Sequence, residues 1–207
     1  KIILIMFVSV DLGNSLILFI RNTSFFVFPL LCGMFVLADP LIRVLLTDKW
    51  EGAIWILQVL CPVGFCYVLS TFNMNVFNAT GRTDWALKGE FIKKCVDVLI
   101  IVVAVNISFE ALVWSQVVIA VFEMFVNLIY TKKQIELGLF SQFKSVAGIL
   151  LCAMIMALCV AFVTTFIDGE LLKLVCGVIV GVVVYASLCL IFNVNDSRNL
   201  IRKFVKI

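Results

Sequence analysis

Apolar residues run along this chain in blocks about as long as a bilayer is thick, broken by short polar intervals, rather than in the one-sided stripes of a soluble fold. A helix needs ~20 mostly apolar residues to cross ~30 Å of hydrocarbon. Six segments meet or approach that length: 24–46, 53–80, 91–105, 112–130, 146–167 and 171–192. The pattern predicts an all-α, polytopic transmembrane helix bundle of six spanning helices, with a further interfacial or partial span over residues 1–22. Asp39-Pro40 interrupts the first span and Pro62 predicts a bend in the second. No connecting interval is long enough to hold a folded domain.

Residues 1–20 read two ways. Ile2 to Val10 is apolar enough for a signal-peptide core, but no small-residue cleavage site follows, and Asp11, Gly13 and Asn14 interrupt the run. The segment is therefore expected to be the tail of something longer, lying along the inner interface or crossing part of the way.

Composition agrees with the pattern. The chain is 64% hydrophobic and 14% charged, with a mean hydropathy of +1.20, whereas soluble domains are about half apolar and a quarter charged. A soluble surface has nowhere to put that excess, and lipid accepts it. The eight cysteines all lie in apolar runs, without a C-x-x-C pair, and there is no histidine. Buried thiols acting as small hydrophobes are expected, with no metal and no cofactor.

Charge adds an orientation. Twelve of the 16 basic residues (Arg21, Arg82, Lys88, Lys93, Lys94, Lys132, Lys133, Lys144, Arg198, Arg202, Lys203 and Lys206) fall on one set of connections, and only Arg43, Lys49 and Lys173 on the other, with Lys1 unassigned. The positive-inside rule places the first set and the C-terminus in the cytoplasm. The opposite connections are acidic: Asp39, Asp48, Glu51, Glu110, Asp168 and Glu170.

Two stretches carry a resemblance. Asp39-Pro40-Leu41-Ile42-Arg43-Val44-Leu45-Leu46-Thr47-Asp48-Lys49-Trp50 is followed by Asn73-Met74-Asn75-Val76-Phe77-Asn78-Ala79-Thr80-Gly81-Arg82-Thr83-Asp84, then Leu87-Lys88 and Ile92-Lys93-Lys94. In order and topology they resemble the C-terminal half of polysaccharide-repeat-unit flippases. These exporters of O-antigen, capsule and exopolysaccharide units share a superfamily with the MATE drug exporters. The resemblance covers the chain from about Thr23. It implies a fold of two helical lobes around a central cavity, of which residues 23–207 would be the C-terminal lobe. It also implies alternating-access transport of undecaprenyl-pyrophosphate-linked oligosaccharide across the bacterial plasma membrane, with the N-terminal lobe and membrane lipids as partners.

Three polar groups are candidates for the site. Gln116, Glu123, Asn127 and Tyr130 fall within an arc of about 60° on one helix, at ~100° per residue. A carboxylate at bilayer depth costs ~2.5–3.5 kcal/mol on insertion scales, so Glu123 must face a cavity or a partner helix. Thr71, Asn75, Asn78 and Arg82 form a second stripe, able to bind sugar hydroxyls or a neighbouring helix. Glu90, Lys93, Lys94 and Asp97 share a third face, with Asp97 expected to pair with Lys93 or Lys94. That face is either a salt-bridged helix end or, with Arg82 and Lys88, a basic mouth that attracts pyrophosphate. Gly177 and Gly181 form a G-x-x-x-G whose expected role is helix packing.

No phosphate loop, nucleophile elbow or histidine base is encoded, so the chain is not expected to be an enzyme. Its basic residues lie along membrane edges rather than on a soluble face, which excludes nucleic acid. A MATE-like cation or drug antiporter, a membrane-embedded sugar transferase and a non-transporting fragment are the alternatives.

Overall fold

The computed structural model describes the backbone of residues 2–79, 83–135 and 139–192, and the side chains of residues 17–71, 87, 89–129, 131 and 142–192. Among these residues there are α-helices, one short 3-10 turn and no strand. The helices are α1 (Ile2–Val36), α2 (Ala38–Leu46), α3 (Ala53–Ala79), α4 (Thr83–Ile107), α5 (Phe109–Ile135), α6 (Leu139–Thr164) and α7 (Glu170–Ile191), and the 3-10 turn is Asp48–Trp50.

Five of them contain a stretch long and apolar enough to cross a membrane: Ile17–Val36, Ala53–Thr71, Phe109–Ile129, Gln142–Thr164 and Glu170–Ile191. Their buried share runs from only 17% in α7 to 44% in α5. The outward positions are Leu, Val, Ile and Phe, as on Val178, Ile179, Val182 and Val183 of α7. Water would reject such a surface and lipid accepts it. This is a multi-pass membrane protein.

The expected sixth span lies in α4. That helix has 25 residues, about 37 Å at 1.5 Å per residue, but it is not among the five. Its charges are concentrated between Glu90 and Asp97, and the region around Lys93 is polar enough to need partners.

The first span also differs from expectation. The run expected over 24–46 is divided between α1 and α2, and the interruption falls at Leu37 rather than at Asp39-Pro40. The ladder scarcely lapses there. Leu37 donates its N–H to the Gly33 carbonyl at 2.8 Å, and its own carbonyl accepts from Leu41 N–H at 2.9 Å. Pro40 then sits in the first turn of α2, where its missing N–H costs nothing. Upstream, Asp11, Gly13 and Asn14 do not stop α1, which is helical from Ile2. α3 likewise continues through Pro62.

The chain forms two compact units. One joins α1 up to Thr23 with residues 59–145; the other joins residues 24–58 with α6 from Val146 and α7. In the first, α4 lies along α5, and Val113, Ile119, Ala120, Met124 and Leu128 of α5 are buried. In the second, α2 lies against α7. A Cβ added at Gly177 would come within 2.6 Å of Leu37 Cδ2, and one at Gly181 within 3.4 Å of Val160 Cγ2. The G-x-x-x-G therefore packs α7 inside its own unit. Tyr185 Oη adds a hydrogen bond to the Phe25 carbonyl at 2.8 Å, tying α7 to α1. None of the eight cysteines forms a disulfide.

Candidate functional site

The polar residues of the first unit converge on the seam between α4 and α5. Lys93, Asp97, Glu123 and Asn127 are each less than a tenth exposed. Burial of so many polar groups favours their pairing with one another, and with one exception they pair in two sets.

Lys93 pairs with Glu90 one turn earlier and donates to Asn127 Oδ1 at 2.9 Å. Asn127 in turn donates through Nδ2 to Ser70 Oγ at 2.6 Å. The chain Glu90–Lys93–Asn127–Ser70 thus fastens α4, α5 and α3 together. In the second set, Lys94 Nζ donates to Asp97 Oδ2 at 2.9 Å and to Glu123 Oε1 at 2.7 Å. The Lys94 side chain is 62% exposed, while those of its two carboxylate partners are 8% and 9% exposed. Asp97 Oδ1 is buried with no hydrogen-bond partner among the described residues.

Helical geometry explains the difference between the adjacent lysines. They are separated by ~100° around α4, so Lys93 points into the seam while Lys94 stands at its edge and reaches back. The face predicted to hold Glu90, Lys93, Lys94 and Asp97 exists, and Asp97 pairs with Lys94 as expected. Of the residues expected to form a basic mouth, Lys93 and Lys94 have described side chains, and Arg82 and the Lys88 side chain lie outside the described residues. Lys93 is only 3% exposed, and the seam holds three carboxylates against two ammonium groups. Glu123 meets the partner-helix alternative, because it is satisfied by Lys94 of α4. Asn127 is buried beside it, while Gln116, two turns earlier on the same face, is only half-buried.

Thr71 is exposed on α3. Asn75, Asn78, Lys88 and Tyr130 belong to helices, but their side chains lie outside the described residues, as does Arg82 altogether. Ser70 was not singled out from the sequence. Its signal in the sequence is its place beside Thr71, about 100° around the helix from the Thr71 stripe.

The second unit carries a different cluster. Arg43 of α2 donates to Asp39 Oδ1 at 2.8 Å, to Asp48 Oδ1 at 3.1 Å and to Glu51 Oε1 at 2.5 Å. These bonds, Asp39 first and then Glu51 and Asp48, raise the guanidinium pKa further above its ordinary value, so Arg43 stays charged. One side chain thereby clamps the elbow from α2 through the 3-10 turn toward α3. Thr47, inside that elbow, has φ 71° and ψ 168°, a region otherwise almost confined to glycine. No group of side chains among the described residues could hold a metal ion.

The fold and these two clusters define the class: a multi-pass, all-α membrane protein with a buried ion-pair seam and a charged elbow. Residues 9–55 match the family described as polysaccharide biosynthesis protein, a stretch that contains all of α2 and the Arg43 elbow. The teichuronic acid biosynthesis protein TuaB of Bacillus subtilis (strain 168) is 42% identical over 59 residues, 28% of this chain and 12% of that protein. The matched stretch is thus a small part of that relative's length. No solved structure matches the chain. Both similarities bear out the resemblance to polysaccharide-repeat-unit flippases.

Proposed function

We propose that this chain is the C-terminal membrane lobe of a polysaccharide-export flippase. It would act with an N-terminal lobe to move undecaprenyl-pyrophosphate-linked oligosaccharide across the bacterial plasma membrane. No covalent bond changes; the work is secondary transport by alternating access. The observation that carries this reading is the Arg43 elbow within residues 9–55, the stretch that matches a polysaccharide biosynthesis family.

The proposed orientation has support from the ion pairs. Of the three basic residues on the acidic side, Arg43 is surrounded by carboxylates and Lys173 pairs with Glu170 at 3.0 Å. Those connections hold only three of the 16 basic residues, which fits the outer face, with the C-terminus in the cytoplasm. The acidic excess of the seam is the one feature that favours the alternative, a MATE-like cation or drug antiporter.

The test is export in cells lacking the parent gene, comparing residues 1–207 alone with residues 1–207 plus a separately encoded N-terminal lobe. Polysaccharide at the surface only in the second case is the expected result. Rescue by residues 1–207 alone contradicts the half-transporter reading. Drug resistance without polysaccharide export favours the antiporter.

A further inference from the structure

The two lysines of the seam differ in one respect that matters for a phosphate ligand. Lys93 is buried and held between Glu90 and Asn127. Lys94 is largely exposed, yet its ammonium is the counter-charge for two buried carboxylates on facing helices, Asp97 and Glu123. A lysine is a compact charge on a flexible stem. It can swing outward from the seam edge without disturbing α4.

We propose that Lys94 is a shared cation, held by Asp97 and Glu123 at rest and surrendered to the phosphate of an arriving diphosphate-bearing ligand, so that anion binding brings proton uptake at the vacated carboxylates. The inference deepens the flippase reading and rests on it for the class of ligand. A phosphate competes for the ammonium because charge-assisted hydrogen bonds to phosphate are strong and the Lys94 side chain is exposed at the edge of the seam rather than enclosed in it. Once Lys94 leaves, Asp97 and Glu123 lose their common partner. Two buried carboxylates that have lost their shared counter-charge repel each other, which favours a proton on one of them. The other charged groups in the seam, Glu90 and Lys93, already neutralise each other, and Ser70 and Asn127 are uncharged. One proton therefore restores the balance. Asp97 Oδ1, buried and without a partner among the described residues, is the oxygen placed to take it. The sign follows: a site that gains a proton on binding holds its ligand more tightly as pH falls.

Calorimetric titration of inorganic pyrophosphate into the purified chain, in two buffers of different ionisation heat, reads the proton count directly. Wild type should take up about one proton more per pyrophosphate than Asp97→Asn, a difference in which the ligand's own protons cancel. Glu123→Gln, which keeps the side-chain volume, should lose the same uptake. It guards against misfolding of the Asp97 variant, provided its thermal midpoint matches wild type. Lys94→Gln should weaken binding by roughly tenfold or more, and Lys94→Arg should retain it. Equal proton uptake by wild type, Asp97→Asn and Glu123→Gln overturns the exchange. So does undiminished affinity in Lys94→Gln, or absence of pyrophosphate binding by wild type. If the exchange is intact but the two-lobe complementation fails, the flippase reading falls and the exchange stands.

Discussion

Lys93→Met tests whether the seam holds the first unit together. Methionine replaces most of the aliphatic stem, so little cavity is left. What disappears is the ammonium. Asn127 Oδ1, in a buried residue, loses the donor that stands 2.9 Å away, at a cost of about 1–3 kcal/mol. Glu90 loses its ion pair, but its side chain is 33% exposed and rehydrates, so that loss is discounted to about 0–1 kcal/mol. The sum is a destabilisation of about 1–4 kcal/mol. At roughly 2–4 °C per kcal/mol for a chain of this size, the midpoint should fall by roughly 2–16 °C. Thermal unfolding of the purified chain in detergent can be followed with a thiol-reactive dye that reports exposure of buried Cys61, Cys152 and Cys189. Adding Asn127→Leu removes the stranded acceptor. The double variant should then recover at least about 1 kcal/mol relative to the sum of the singles. A Lys93→Met midpoint at or above wild type, or strictly additive singles, would refute the argument.

Thr47→Gly should raise the midpoint, by the equivalent of about 1 kcal/mol, because it relieves a backbone conformation that costs of order 1–3 kcal/mol in a non-glycine residue; Thr47→Ala should not, and equal midpoints would show that the elbow is unstrained. Gly177→Ala should destabilise by about 1–2 kcal/mol, since its Cβ would meet Leu37 at 2.6 Å. Gly181→Ala meets Val160 at 3.4 Å and should be neutral or stabilising by up to about 1 kcal/mol through helix propensity; the reverse ranking in thermal unfolding would contradict the packing described. Single cysteines at 48, 110 and 168, in a background without the native eight, should react with an impermeant thiol reagent on intact cells, while those at 88 and 132 should react only after permeabilisation. Labelling of 88 or 132 from outside would overturn the topology.

Hydrophobic block length made the helical class and most of the spans legible in the sequence, because lipid imposes one length and one polarity on every crossing. It is weakest at α4, a helix of 25 residues whose apolar half, Val98 to Ile107, follows a charged half, Glu90 to Asp97, so that it does not stand out by composition. The break at Leu37 was displaced because a proline in a first turn does not interrupt a helix. Periodicity put Glu123 and Asn127 on one face and predicted the pairing of Asp97. It could not say that Glu123 and Asn127 pair with lysines of α4, since that depends on which helix lies alongside. Lys93 and Lys94 look equivalent in sequence, and only the docking of α4 against α5 separates a buried cation from an exposed one. Ser70 was invisible for the same reason: its role exists only through Asn127, 57 positions away.

The most direct measurement of the central claim is the sidedness of lipid-linked oligosaccharide in cells lacking the parent gene. Radiolabelled undecaprenyl-linked units should accumulate on the cytoplasmic face, and restoring the gene should return them to the outer face and to surface polysaccharide. Normal appearance of those units on the outer face without the gene would contradict the account.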